Sequence, residues 1–440
     1  MTDFRTDTER AFEHIVALTK LGPRVAGTPE EAEGIAYIAT TFEQYGLKVL
    51  TPEFPIMLWR KEKFSVSAGG RRFTATAVPF AGTLPPGKHR LPLVYLETGS
   101  RYDLEHAGDV SGKAWLMSRD AYVHYPDTAL AGKVAPFKPA LLIFTAAPGH
   151  IGGVPTVFYN FRDRAKMPAP PCLVMGHQDV AYLATKGIAE IEVQLEADVV
   201  PAVSRNVIGL IEGTEHPDEI IVVCAHHDSA PTSPGAVDNA GGAAVVLELA
   251  RAVKAAGVAP KRTVHFAIWG SHETGMHGSE FYIRDAIASG AKVVAAINLD
   301  GIGMSVGQDH LSILGGRDWN DFIDGVADET GIEPSISRGP GYTDFTNFGA
   351  AGIPSVSIAQ AYFGWNHTPA DDVDKCAPRG LLKPLEMTAS LLQAILAAPD
   401  YRPEFSDELR SYTADFNGRW GWSNFTPYEP EQSLEKTKVS

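Results

Sequence analysis

Five short stretches hold the side chains best suited to chemistry. In chain order they are Ala225-His226-His227-Asp228-Ser229, Asp238-Asn239-Ala240-Gly241-Gly242, His272-Glu273, Asn298-Leu299-Asp300 and Asn366-His367-Thr368-Pro369. One donor from each gives His226, Asp238, Glu273, Asp300 and His367. Imidazoles mixed with carboxylates suit a hard-to-borderline divalent cation, and zinc favours such sets. Five donors exceed what one tetrahedral ion needs. Asp238 could bridge two ions, with His226 and Asp300 on one and Glu273 and His367 on the other. Two ions so placed activate a water and stabilise both the attacking and the leaving atom. Asp228, two residues beyond His226, is expected to orient that imidazole or to support the site.

The surrounding pattern must bring these residues together. From about residue 205, strand, loop and helix alternate: strands at 219–225, 263–269, 293–299, 311–314 and 354–358, helices at 239–256, 279–287 and 381–397. That alternation predicts an α/β fold with a mainly parallel central sheet flanked by helices. In such sheets ligands gather outside the carboxyl ends of the strands. His226, Glu273 and Asp300 each follow a strand, His367 lies in the loop after the last, and Asp238 stands at a helix entrance.

Earlier in the chain, Phe12, Ile15, Val16 and Leu18 space an amphipathic helix over 7–20. A second helix starts at Pro29, with Thr28 as N-cap and Glu31 expected to close a capping box. Between about 65 and 200, short β-like runs separated by Pro and Gly turns predict an inserted β-rich unit. The expected divisions are 1–64 as the N-terminal part of the catalytic domain, 65–200 as the insert, 201–400 as the catalytic domain and 401–440 as a tail. The tail carries Trp420, Trp422, Phe425 and Tyr428; two readings stand, one in which it packs on the body or on a second subunit, the latter giving a homodimer, and one in which it is only partly ordered.

Composition bounds the rest. With 440 residues, 44% of them hydrophobic, the chain can bury a substantial core. A net charge of -15 argues against nucleic-acid or anionic-membrane partners. Three scattered cysteines and no Cys-x-x-Cys point to a reducing compartment. With no apolar leader at the N-terminus, the expectation is a cytoplasmic protein. Neither a Gly-x-Ser-x-Gly elbow nor a phosphate-cradling Gly-Lys-Ser/Thr loop occurs.

The five stretches resemble the M28 family of zinc-dependent peptidases, mostly aminopeptidases. Gly278-Ser279-Glu280-Phe281, Asp344 with Phe348, Gly352-Ile353-Pro354 and the early Leu-Gly-Pro-Arg-Val-Ala-Gly-Thr-Pro run add to the likeness. It covers roughly 1–60 and 200–400, while the insert is similar to a protease-associated domain. The resemblance implies two zinc ions held by His226, Asp238, Glu273, Asp300 and His367, with Asp238 bridging. It implies hydrolysis of an N-terminal amino acid or a related small amide.

One position departs from the family. Where it has a Glu that takes the proton from the attacking water, this chain has His272. Three readings follow. His272 is the base, since imidazole titrates near neutrality. Alternatively, the site cleaves a C–N bond in a non-peptide metabolite, as an amidase or lyase. Or the chain binds metal without catalysis. Tyr342, Asp344, Trp365 and His227 are candidate substrate-binding residues.

Overall fold

The computed structural model describes residues 4–120, 133–158, 170–361 and 364–419. These form two compact units. One holds the described residues up to Ile56, from Val203 to 361 and from Asp371 onward; the other holds those from Met57 to Ala202 and from Gly364 to Ala370.

The first unit is built on an eight-stranded sheet. Its strands are β1 (Lys48–Leu50), β2 (Val207–Ile211), β3 (His216–His226), β4 (Arg262–Trp269), β5 (Lys292–Leu299), β6 (Gln308–Leu314), β7 (Ser335–Arg338) and β8 (Ser355–Ala361). They lie in the order β1-β2-β4-β3-β5-β8-β6-β7. The four central strands, β4, β3, β5 and β8, run parallel, with His226 opposite Trp269, Cys224 opposite Asn298 and Leu299 opposite Ile358. Outside the centre, β1 pairs antiparallel with β2, β2 with β4 and β6 with β8, while the edge strand β7 pairs parallel with β6. The parallel centre is buried on both faces, which explains why β3 reads as the unbroken run Ile220-Ile-Val-Val-Cys-Ala rather than an alternation.

Helices cover this sheet. Among them are α1 (Thr8–Thr19), α2 (Pro29–Gln44), α3 (Gly241–Ala255), α4 (His277–Ser289), α5 (Arg317–Thr330), α6 (Phe345–Ala350) and α7 (Pro378–Ala397). Pro29 opens α2 and Thr28 caps it, its hydroxyl accepting from the Glu31 N–H. The expected capping box is displaced by one residue, because the Glu31 carboxylate accepts instead from the N–H of Gly27. Its other oxygen accepts from the Ser204 hydroxyl. At the start of α3 a Cβ on Gly241 would collide with the carbonyl of Ile302, and one on Gly242 would lie 2.7 Å from the carbonyl of Leu299. The two glycines therefore let the helix enter against the end of β5.

The second unit carries its own eight-stranded sheet, in the order Arg71–Phe73, Glu53–Ala68, Glu190–Arg205, His89–Tyr95, Ala114–Asp120, Leu141–Thr145, Cys172–Met175 and Ala75–Ala77. Leu116, Ile143, Leu173, Ile191 and Val193 are among the residues of its core.

Of the C-terminal tail, Asp407–Arg419 is a helix that packs on α6. The aromatic residues Trp420, Trp422, Phe425 and Tyr428 lie outside the described residues. Among the described residues no helix is long and apolar enough to cross a membrane.

Candidate metal centre

The carboxyl ends of β3, β4 and β5 deliver a cluster of buried carboxylates and imidazoles. His226 is the last residue of β3, and its Nδ1–H donates to the carbonyl of Asp228 at 3.1 Å. That bond turns Nε2 inward, where it lies 3.2 Å from Asp238 Oδ1 and 3.6 Å from Asp300 Oδ1. Asp300 follows β5 directly, its N–H held by the carbonyl of Ile358 on β8. Asp238 sits in the turn before α3, and the Asp238–Asn239 peptide is cis. Glu273 comes from the loop after β4, and a carboxylate oxygen of it lies within 4.8 Å of one from Asp238.

Asp228 serves this loop. It is fully buried, and its two oxygens accept from the N–H groups of His272 at 3.0 Å and Glu273 at 3.1 Å. The expectation that it orients the His226 ring is met only loosely, at 3.5 Å from Nδ1. Its main work is to fix the backbone carrying both neighbours.

The electrostatics fit a cation. Burial works against a charged His226, but Asp300, Asp228 and Asp238 outweigh it and hold its pKa well above the usual imidazole range. These carboxylates thus recruit positive charge into a dry site. Neutral imidazole Nε2 and carboxylate oxygens are also the donors that zinc accepts. The chemistry of His226, Asp238, Asp300 and Glu273 therefore suits divalent ions.

His272 stands apart from this set. Its donor atom lies within 4.8 Å of those of His226 and Asp300, so distance alone would admit it as a further ligand. Orientation does not. The His272 and His226 rings are stacked, with centroids 3.8 Å apart and planes 5° from parallel. A ligand nitrogen offers its lone pair in the plane of its ring, and one ion cannot lie in two stacked planes. His272 Nδ1 instead donates to Asp344 Oδ2 at 2.8 Å, leaving Nε2 3.7 Å from Asp300 Oδ2. Without bound ions, burial and His226 oppose its protonation, yet Asp344 and Asp300 prevail and push its pKa up to about 9; dications held beside it would disfavour the imidazolium and leave Nε2 bare.

Two of the four residues expected to touch substrate are placed otherwise. Asp344 is fully buried, accepting from His272 and from the Ser279 hydroxyl, so it supports the site from beneath. His227 is fully buried too, with Nε2 bonded to the carbonyl of Arg205 at 2.9 Å. Burial pushes its pKa down to about 4, which makes it a neutral core histidine. Tyr342 is exposed, its ring 5.6 Å from that of Phe416.

Trp365 and His367 belong to the second unit. His367 is buried there, with Nδ1 2.9 Å from the Thr156 carbonyl, in a turn where Thr368 donates to the Trp365 carbonyl.

Two supporting residues, Asp371 and Arg24, escape sequence reasoning. Asp371 is fully buried, and its oxygens accept from the N–H groups of Val237 and Asp238. The guanidinium of Arg24, also fully buried, donates to the carbonyls of Leu18, His227, Pro234 and Gly235. Arg24 lies in the early Leu-Gly-Pro-Arg run and Asp371 just after His367-Thr-Pro. Charged residues inside otherwise turn-forming motifs were the available signal.

A parallel α/β sheet with this cluster at its carboxyl edge defines a metallohydrolase. Residues 206–392 match the model of peptidase family M28. Aminopeptidase YwaD of Bacillus subtilis (strain 168) is 27% identical over 405 residues, covering 88% of this chain and 85% of its own. Carboxypeptidase Q of Mus musculus is 25% identical over 394 residues, 84% of this chain and 82% of its own. In fold, the chain is similar to BSAP, a zinc aminopeptidase from Bacillus subtilis. The TM-score is 0.75 at 22% identity, over 92% of this chain and 100% of that one.

Proposed function

We propose that this protein is a two-zinc hydrolase of the aminopeptidase type. It cleaves an N-terminal amino acid, or a closely related small amide, and His272 carries the proton. The single observation behind this is the approach of His226 Nε2 to both Asp238 and Asp300, with Glu273 beside Asp238. His226 and Asp300 would hold one ion and Glu273 the other, with Asp238 between them. His367 completes the set on the strength of its motif. The zinc and aminopeptidase names of BSAP and YwaD support the same reading.

Bound ions would supply Lewis-acid polarisation of the scissile carbonyl and offset the charge that develops on its oxygen. The protein's own residues do the rest. His272 Nε2 accepts a proton from water as the water oxygen bonds to the carbonyl carbon. The same nitrogen returns that proton to the amine nitrogen as the C–N bond breaks. Asp228 holds the peptide of His272 and Glu273 still throughout.

Metal analysis combined with a substrate panel tests this. Aminoacyl amides and dipeptides should turn over, while N-acetylated dipeptides should not. His272→Ala should lose about 10²–10⁴-fold in kcat and keep its metal. Absence of bound divalent ion after purification with added zinc would defeat the proposal. The imidazole at the base position also favours a second reading, proton abstraction that eliminates an amine from a small non-peptide substrate. An unsaturated product absorbing in the ultraviolet would distinguish that reaction from hydrolysis.

A further inference from the structure

We infer that Asp344 is the positioning residue for His272. It fixes the imidazole in its Nδ1–H tautomer, so that Nε2 stays bare and off the metal. The inference rests on the proposed hydrolase reading and deepens it, because His272 replaces a carboxylate that needs no tautomer. A neutral imidazole presents a lone pair on only one nitrogen, and the hydrogen bond on the other decides which. Here Nδ1 donates to Asp344 Oδ2 at 2.8 Å. The ring face rests on His226, which blocks rotation out of the plane.

Asp344 is itself held. Its Oδ1 accepts from the Ser279 hydroxyl on α4, and that oxygen accepts from Asn347 Nδ2 at 2.9 Å. Asn347 Nδ2 also donates to the Met276 carbonyl at 3.1 Å. Asn347 Oδ1 accepts from Asn417 Nδ2 at 3.1 Å, on the C-terminal helix. Asp344, Ser279, Asn347 and Asn417 are all buried. A line of dry hydrogen bonds thus runs from the C-terminal helix to the ring that carries the proton. Such buried networks hold one arrangement because any unmade bond leaves a polar group unsatisfied.

The ring nitrogens report this directly. In protein labelled with ¹⁵N-histidine and loaded with ¹¹³Cd, His272, assigned by the loss of its signals in His272→Gln, should show the Nδ1–H tautomer. It should have no scalar coupling to cadmium, whereas His226 should be coupled. A cadmium coupling at His272, or a bare Nδ1, would overturn the inference while leaving the two-metal reading intact. A chain that binds no cadmium would instead sink that reading.

Kinetics give a second test. Asp344→Asn should lower kcat roughly 10²-fold or more, as expected when an imidazole is freed to take the wrong tautomer. KM and metal content should be nearly unchanged. In a His272→Glu background, where no tautomer exists, the same substitution should cost far less. Equal losses in both backgrounds would show that Asp344 acts only on the fold. Asn417→Ala touches neither the ring nor any donor. It should reproduce the tautomer change in part, and an unaltered His272 signal would remove the C-terminal helix from the network.

Discussion

Asp371 grips Asp238 through the backbone. Its Oδ1 accepts from the N–H of Val237 at 2.8 Å and its Oδ2 from the N–H of Asp238 at 3.1 Å. The turn carrying the proposed bridging carboxylate is therefore fixed by a carboxylate outside the proposed ligand set. Burial, and then Asp238 itself, push the pKa of Asp371 up to about 7, against the pull of the two N–H groups and Arg24. Asp371→Ala should leave two buried donors unpaired and weaken zinc binding about 10–100-fold. Competition with a chromophoric chelator measures this. Wild-type affinity in the variant would mean that the turn holds its shape alone.

Metal removal should act on stability as well as activity. Asp228, Asp238 and Asp300 are buried within reach of one another through His226. An ion that binds this folded cluster and not the unfolded chain adds about 4 kcal/mol at a thousand times its Kd. Chelation should therefore lower the unfolding temperature by several degrees, and added zinc should restore it. An unfolding temperature indifferent to chelator would contradict a site preformed in the fold.

Arg24 is the cation that ties the N-terminal segment to the site loops. Burial lowers its pKa to about 10, with Asp371 and Asp228 opposing, so it remains charged at neutral pH. Its fork reaches the carbonyl of His227 at 2.8 Å, Pro234 at 2.7 Å and Gly235 at 3.0 Å, on the two loops flanking the cluster. Arg24→Lys keeps the charge but not the planar fork, so several of these carbonyls would lose their donor. It should cost about 2–4 kcal/mol in urea unfolding. A loss within error of zero would show that water takes the place of the guanidinium.

Much of this fold was legible because its signals are local. Unbroken apolar runs marked β3 and β5, and Thr28-Pro29 marked the start of α2. The rule that ligands collect at carboxyl ends then brings His226 and Asp300 to one edge of the sheet. Helix α5 was missed, although Trp319, Ile323, Val326 and Ala327 space one buried face. What sequence could not show is orientation. Nothing in the spacing of His226 and His272 predicts that the two rings stack face to face. Nor does any local pattern reveal that Asp344 points beneath His272 rather than toward a substrate, since the partners are 72 positions apart.

Acid sensitivity of the first unit should trace in part to His14. This side chain is buried between two tyrosines, with Nδ1 2.7 Å from the Tyr37 hydroxyl and Nε2 2.9 Å from that of Tyr45. Burial, and then Arg10, lower its pKa from 6.5 to about 4. Between those values the unfolded chain binds a proton that the folded chain refuses. Stability is therefore full above pH 6.5 and falls as acid is added toward pH 4. The shift corresponds to roughly 3 kcal/mol lost over that window. His227 and His265, also lowered to about 4, add losses of the same sign, so a difference measurement is needed. Urea midpoints of metal-free wild type and His14→Gln, taken from pH 7 down to pH 4, supply it. The variant should start less stable at neutral pH and lose less on acidification, so that the two curves converge. Curves that stay parallel throughout would mean that His14 is protonated as readily in the folded chain as in the unfolded one.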